Sequence, residues 1–135
     1  MQFVDANIFL RFLTQDNPDK ARACLELFRQ ADRGEVTLFT TETIIAEIVY
    51  VLSSPRLYRL SREDIRKRLV PLLTLGGLRI PSRQTVLRAL ELYEAHPVDF
   101  EDALAVAHME HHSIEEIISY DRDFDRFPQV TRIEP

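Results

Sequence analysis

Gln2-Phe3-Val4-Asp5-Ala6-Asn7-Ile8-Phe9 sets a short apolar run, an acid and the first turn of a helical pattern side by side. Gln2-Phe3-Val4 reads as a very short strand. Ile8-Phe9 with Phe12-Leu13 then forms one apolar helical face, which Asn17-Pro18 ends. Strand, acidic corner and helix follow in that order, and the alternation recurs downstream. Over residues 19–33, Ala21, Cys24, Leu25 and Phe28 fall on one helical stripe, with Gly34 placed to close it. Residues 36–39 are a short β-prone run. Residues 44–52 predict a largely buried helix, although their β-branched content suits a strand as well. Ser61 can cap a helix whose inner stripe is Ile65, Leu69, Leu72 and Leu73, and Pro71 falls in its last turn. Gly76-Gly77 precede a strand at 78–80, and helices are expected at 82–95 and 99–111. Residues 116–119 read as a buried strand, 120–128 as an acidic loop and 130–133 as a closing strand. Short strands alternating with amphipathic helices predict an α/β fold, a mainly parallel sheet with helices on both faces. In such sheets ligands bind beyond the carboxyl ends of the strands.

The chain has 135 residues, enough for one ordinary domain, so residues 1–135 are expected to form a single unit. With 45% hydrophobic and 29% charged residues and only 3 Gly, the composition is that of a globular protein rather than a disordered one. No apolar run approaches the roughly 18 to 20 residues that cross a bilayer, and no signal-peptide layout opens the chain. A cytoplasmic location with no membrane association is the expectation. The single cysteine, Cys24, fits an apolar helical stripe, and no Cys and His cluster has zinc-ligand spacing. Metal chemistry must therefore use oxygen. The net charge of -5 gives no long-range pull on a polyanion. The 17 basic residues are almost all arginine, which grips phosphate with a planar fork, and residues 56–68 carry six cations against two acids.

Carboxylates at strand ends carry the chemistry. Asp5 follows the first strand, where it can serve either as a helix cap or as a ligand. Glu47 is the only charged residue in 44–52, and a carboxylate among buried side chains must be paired or bound to a metal. Asp99 and Asp102 share a helix face at i, i+3, with Asp99 placed as an N-cap and Asp102 near the positive end of the helix dipole. Asp121 and Asp123 follow another strand. Each carboxylate pair about 4 Å apart repels by roughly 4 kcal/mol at an effective dielectric near 20, so acids that converge need a cation. All-oxygen ligation suits Mg²⁺ or Mn²⁺. His108, His111 and His112 crowd one helix end, where imidazolium favours the dipole.

These residues resemble the PIN domain, specifically the small VapC-type toxins of toxin-antitoxin pairs. The resemblance lies in Val4-Asp5-Ala6-Asn7, Ala46-Glu47 with Tyr50-Val51-Leu52, Asp102-Ala103-Leu104-Ala105-Val106-Ala107 and Ser119-Tyr120-Asp121-Arg122-Asp123-Phe124. It implies a three-layer α/β/α sandwich around four to five short strands. It also implies a Mg²⁺- or Mn²⁺-dependent endoribonuclease that hydrolyses RNA with metal-activated water, a homodimer, and a cognate antitoxin protein as partner. Asp5, Glu47, Asp102 and Asp121 would be both the metal ligands and the catalytic acids, with Asp99 and Asp123 as possible additional acids. Asn7 and Ser119 would be supporting polar residues, and Arg56, Arg59 and Arg62 possible RNA contacts. Two other readings remain open. One is a non-catalytic PIN-like interaction domain. The other is a Mg²⁺-binding receiver-like signalling domain, which would need a lysine at a late strand's end, whereas Lys20 and Lys67 fall in helical stretches.

Overall fold

The computed structural model describes residues 1–135 and packs as two compact units, Met1–Arg83 and Gln84–Pro135. In the first unit, β1 (Gln2–Phe3), β2 (Leu38–Phe39) and β3 (Leu78–Arg79) form a parallel sheet in the order β1-β2-β3. Gln2 lies opposite Leu38 and Leu38 opposite Leu78. Parallel neighbours need long crossovers. Here α1 (Ala6–Thr14) and α2 (Pro18–Asp32) join β1 to β2, while α3 (Glu42–Ser53) and α4 (Arg62–Leu73) join β2 to β3.

Each helix start has a local cause. The Asp5 carboxylate accepts from the backbone N–H of Asn7 (3.1 Å) and Ile8 (3.4 Å) and so begins α1. Asn17 caps α2 through the Lys20 N–H, with Pro18 at the first helical position. Ser61 caps α4 through the Asp64 N–H. Gly34, at φ +75°, closes the turn after α2 in the left-handed conformation that glycine adopts without strain. The unit buries Phe9, Leu38, Ile45, Ile48, Leu52, Ile65, Leu69 and Leu78 completely.

The expected helix at 44–52 is present and longer, and it is not uniformly buried. Ile45, Ile48, Val49 and Leu52 point inward, whereas Glu47 and Tyr50 are exposed. Glu47 is therefore not the buried carboxylate its apolar neighbours suggested: a 3.6-residue period turns it to the opposite face. Pro71 sits inside α4 without ending it.

The second unit contains α5 from its second residue (α5 spans Arg83–Ala95), α6 (Phe100–His111), β4 (Glu116–Ile118) and β5 (Thr131–Ile133). β4 and β5 pair in parallel, Glu116 opposite Thr131 and Ile118 opposite Ile133. The five strands thus form ladders of three and two, every pair parallel. α5 and α6 are clamped by Arg88, whose guanidinium donates to both Glu110 carboxylate oxygens at 2.7 and 3.0 Å. Two features differ from expectation. The strand expected to be buried at 116–119 is solvent-facing, with Ile118 73% exposed. The expected loop at 120–128 contains a 3₁₀ helix, Arg122–Arg126, which the short crossover between β4 and β5 winds to bury Phe124.

Gly77 is buried where a Cβ would lie 2.2 Å from the Ala31 carbonyl oxygen and 2.8 Å from that of Val36. Both are backbone atoms and cannot swing aside. Gly77→Ala is expected to lower the denaturation midpoint by an amount equal to at least about 2 kcal/mol. Gly76→Ala meets no atom within 4 Å, and is expected to be neutral or stabilising by up to about 1 kcal/mol. Chemical denaturation of the pair separates steric contact from backbone freedom.

Candidate active site

The carboxyl end of β1 is fixed by two bonds. The Val4 N–H donates to the Phe39 carbonyl at 2.8 Å, and the fully buried Thr40 hydroxyl donates to the Val4 carbonyl at 3.0 Å. Asp5 is the next residue, exposed, and its Oδ1 is occupied by the α1 cap. A carboxylate has two oxygens, so capping leaves one for another partner. Asn7 is exposed one position inside α1 and contributes its backbone N–H to the same cap. Glu47 stands on the solvent face of α3.

In the second unit the acids come together. Asp102, Asp121 and Asp123 each offer a carboxylate oxygen, and these atoms lie within 4.8 Å of one another. Asp102 occupies the third position of α6 and is half-buried. Asp121 begins the 3₁₀ helix, accepting from the Asp123 N–H at 2.9 Å. The Asp121 N–H in turn donates to the Ser119 hydroxyl at 3.0 Å. Ser119 therefore shapes the turn that carries Asp121. Asp123 also receives Arg126 at 3.4 Å across a well-solvated pair, too exposed to neutralise the cluster. Asp99 occupies the N-cap position of α6 but makes no side-chain cap bond, so the expected capping contact is missing. It lies outside the three-acid group.

Burial first, and then the negative charges of Asp121, Asp99, Asp123 and Glu101, push the Asp102 carboxyl up to about 6. Charge is thus held at close range with no cation among the cluster's side chains able to offset it fully. This donor set, carboxylates only, fits a hard divalent ion such as Mg²⁺ or Mn²⁺ better than zinc. Sequence reasoning left open whether Asp121 or Asp123 joins Asp102. Both do: the cap bond from the Asp123 N–H to the Asp121 carboxylate folds the Asp121 side chain back over the start of the 3₁₀ helix, beside Asp123, a geometry that a loop assignment hid.

The arginines of the 54–62 segment are in different situations. Arg56 is exposed, whereas Arg59, at φ +51°, folds back to donate through Nε and Nη2 to the Pro55 carbonyl. Arg62 opens α4 and is half-buried. A cleft of about 480 Å³ in the first unit is lined mainly by apolar side chains of α1, α2, α4 and the turn after α4, including Phe12, Leu25, Phe28, Leu72 and Leu75. None of the candidate acids lines it. No helix is long and apolar enough to cross a membrane.

The PIN domain family model matches residues 3–130. The chain is also similar to a protein named VapC ribonuclease from Aquifex aeolicus (strain VF5), with 25% identity over 126 residues, covering 93% of this chain and 91% of that protein.

Without a divalent ion, the native state holds the Asp102 proton more tightly than the unfolded chain, whose carboxyl titrates near the ordinary 3.8. This contribution to stability is complete below about pH 4 and is lost as the pH rises through about 6. Thermal melts in a chelator from pH 4 to 7 are expected to show a steeper fall for wild type than for Asp102→Asn. Adding Mg²⁺ or Mn²⁺ above pH 7 is expected to raise the wild-type Tm and to move the variant much less.

Proposed function

Since the chain belongs to the PIN domain family, we propose that it is a divalent-metal-dependent endoribonuclease that hydrolyses RNA phosphodiesters, the toxin of a toxin-antitoxin pair. The observation that carries this reading is the carboxylate triad Asp102, Asp121 and Asp123, closed to within 4.8 Å on a structured turn. The similarity to a VapC ribonuclease supports RNA as substrate and an antitoxin protein as partner. The receiver-like reading is set aside by the family.

Asp102, Asp121 and Asp123 would hold Mg²⁺ or Mn²⁺. Such an ion, when bound, lowers the pKa of a water molecule, orients the phosphodiester and neutralises charge on the leaving oxygen. The protein's own residues supply the positioning. Ser119 holds the turn, Asp121 keeps its carboxylate on the 3₁₀ N-terminus, and α6 presents Asp102 from its first turn. Asp5 and Glu47 are proposed as the acids of the first unit, Asn7 as a polar support beside Asp5, and Asp99 as an accessory charge. Arg56 is the proposed phosphate contact of its segment, because it is exposed while Arg59 is engaged with Pro55. The whole chain is proposed to act as one PIN domain in the cytoplasm, as a homodimer. The apolar cleft of α1, α2 and α4 suits burial of a protein partner's side chains better than a polyanion.

Asp5→Asn is the informative variant, because Asn caps a helix as well as Asp and only the charge is removed. A brief pulse of expression followed by sequencing of RNA 5′ ends is expected to show new ends at a defined site with wild type. With Asp5→Asn or Asp102→Asn they are expected to fall by at least about 100-fold, the upper end of the loss seen when a mere outer-shell partner of a metal is removed. Identical end profiles from folded wild type and variants would move the chain to a non-catalytic interaction role.

A further inference from the structure

Asp121 and Asp123 are carried by a segment with little regular structure of its own. β4 and β5 are three residues each, and the 3₁₀ helix between them is five. Such helices are short because their internal hydrogen bonds are poorly aligned. A metal ligand must nonetheless be held to within about 0.5 Å, by groups that are themselves locked in place. The turn therefore needs a support from outside itself.

Arg132 lies in the middle of β5, opposite Ile117 of β4, and its side chain is only 13% exposed. Its Nη1 donates to the Ser119 carbonyl at 3.0 Å, two residues before Asp121. Its Nε and Nη2 donate to the two carboxylate oxygens of Asp125 at 3.0 and 3.4 Å, two residues after Asp123. One guanidinium thus ties together the residues that flank both acids. Ser119 is fixed at two further points: its N–H donates to the Ile133 carbonyl at 3.0 Å, and its hydroxyl accepts from the Asp121 N–H. Glu134 also accepts from Nη1, at 2.9 Å, so the positive charge is met by carboxylates outside the acid cluster. The task calls for arginine. Three nitrogens in one rigid plane reach acceptors that a compact ammonium on a flexible stem cannot reach together.

We propose that Arg132 is a positioning residue of the metal site, a staple whose bonds to Ser119 and Asp125 hold the turn in the shape that brings Asp121 and Asp123 up to Asp102. This inference rests on the metal-dependent reading and adds to it a residue that touches no ion. Its charge works against such a role and its geometry works for it. By charge alone, removing a nearby cation strengthens the binding of a divalent ion. A weakening has the sign of lost geometry.

Mn²⁺ binding is measured by electron paramagnetic resonance of the free ion for wild type, Arg132→Met, Arg132→Lys, Asp125→Ala and Glu134→Ala, and thermal melts in a chelator report the stability of each. Arg132→Met keeps the side-chain stem and loses the fork. It is expected to weaken Mn²⁺ binding by about 10-fold to 100-fold, the loss that follows when a residue holding a metal ligand in place is removed. Arg132→Lys is expected to recover part of that loss. Asp125→Ala is expected to weaken binding to a similar degree and to add little to Arg132→Met in the double variant, because both break the same link. Glu134→Ala takes a carboxylate from the same guanidinium but leaves the staple, and is expected to bind Mn²⁺ as wild type does. A lowered Tm in chelator for Arg132→Met with Mn²⁺ binding unchanged or tighter would overturn the proposal, leaving Arg132 a structural residue and the metal-dependent reading intact. An equal weakening in Asp125→Ala and Glu134→Ala would also overturn it, since net charge would then account for both. Where Arg132→Met does not fold, Asp125→Ala, altered on the exposed side of the pair and compared with Glu134→Ala, decides the matter. A wild-type protein that takes up no Mn²⁺ would remove the metal-dependent reading and the staple's role together.

Discussion

Strands only two residues long cannot fix by their own ladders where their carboxyl ends lie. In the first unit that task falls to one buried hydroxyl. Thr40, fully enclosed just after β2, donates to the Val4 carbonyl and pins the residue that follows β1 beside the sheet. A buried hydroxyl with no acceptor would cost about 1 to 3 kcal/mol, so the bond is specified as well as favourable. The Val4 N–H to Phe39 bond completes the clamp. Everything after it inherits this placement: the Asp5 cap, the direction of α1 and the first crossover of the parallel sheet.

Much of this arrangement is legible in the sequence because local chemistry and global fold agree. The caps at Asp5 and Ser61 are written as the residue types that caps require, and the structure shows each accepting its backbone N–H, while Asn17, read only as the end of the first helix, also caps the second. The apolar stripes of α2, α4 and α5 face inward as their spacing dictates. Other features were not legible, among them the exposure of the strand at 116–119 and the absent Asp99 cap bond. Glu47 sits within an apolar run, and a run shows burial without showing which side of a helix it covers. The 3₁₀ helix at Arg122–Arg126 has no periodicity long enough to read, and its caps and acids look like ordinary loop chemistry. The pairing of Asp102 with both Asp121 and Asp123 depends on that turn, and so could not be read from spacing alone.

The acids illustrate how one side chain can serve folding and chemistry together. Asp121 starts the 3₁₀ helix through one oxygen and faces two other carboxylates. Asp102 sits where the helix dipole partly offsets its charge, yet burial and its neighbours still raise its proton affinity. The cluster is therefore under tension as folded, and tension of this kind is what a hard cation relieves. Stability lost at a site and recovered on binding is a familiar trade in functional clefts.

The double duty of Asp5 has an evolutionary side. Asp, Asn and Ser cap a helix about equally well, so the fold does not select for aspartate at this position; only a need for the charge can. A single base transition in an aspartate codon gives asparagine, which keeps the cap and the start of α1 while neutralising the acid. On the role proposed for Asp5, that one change would give an inactive copy that still folds. Such a copy would still present the same outer surfaces to whatever recognises them.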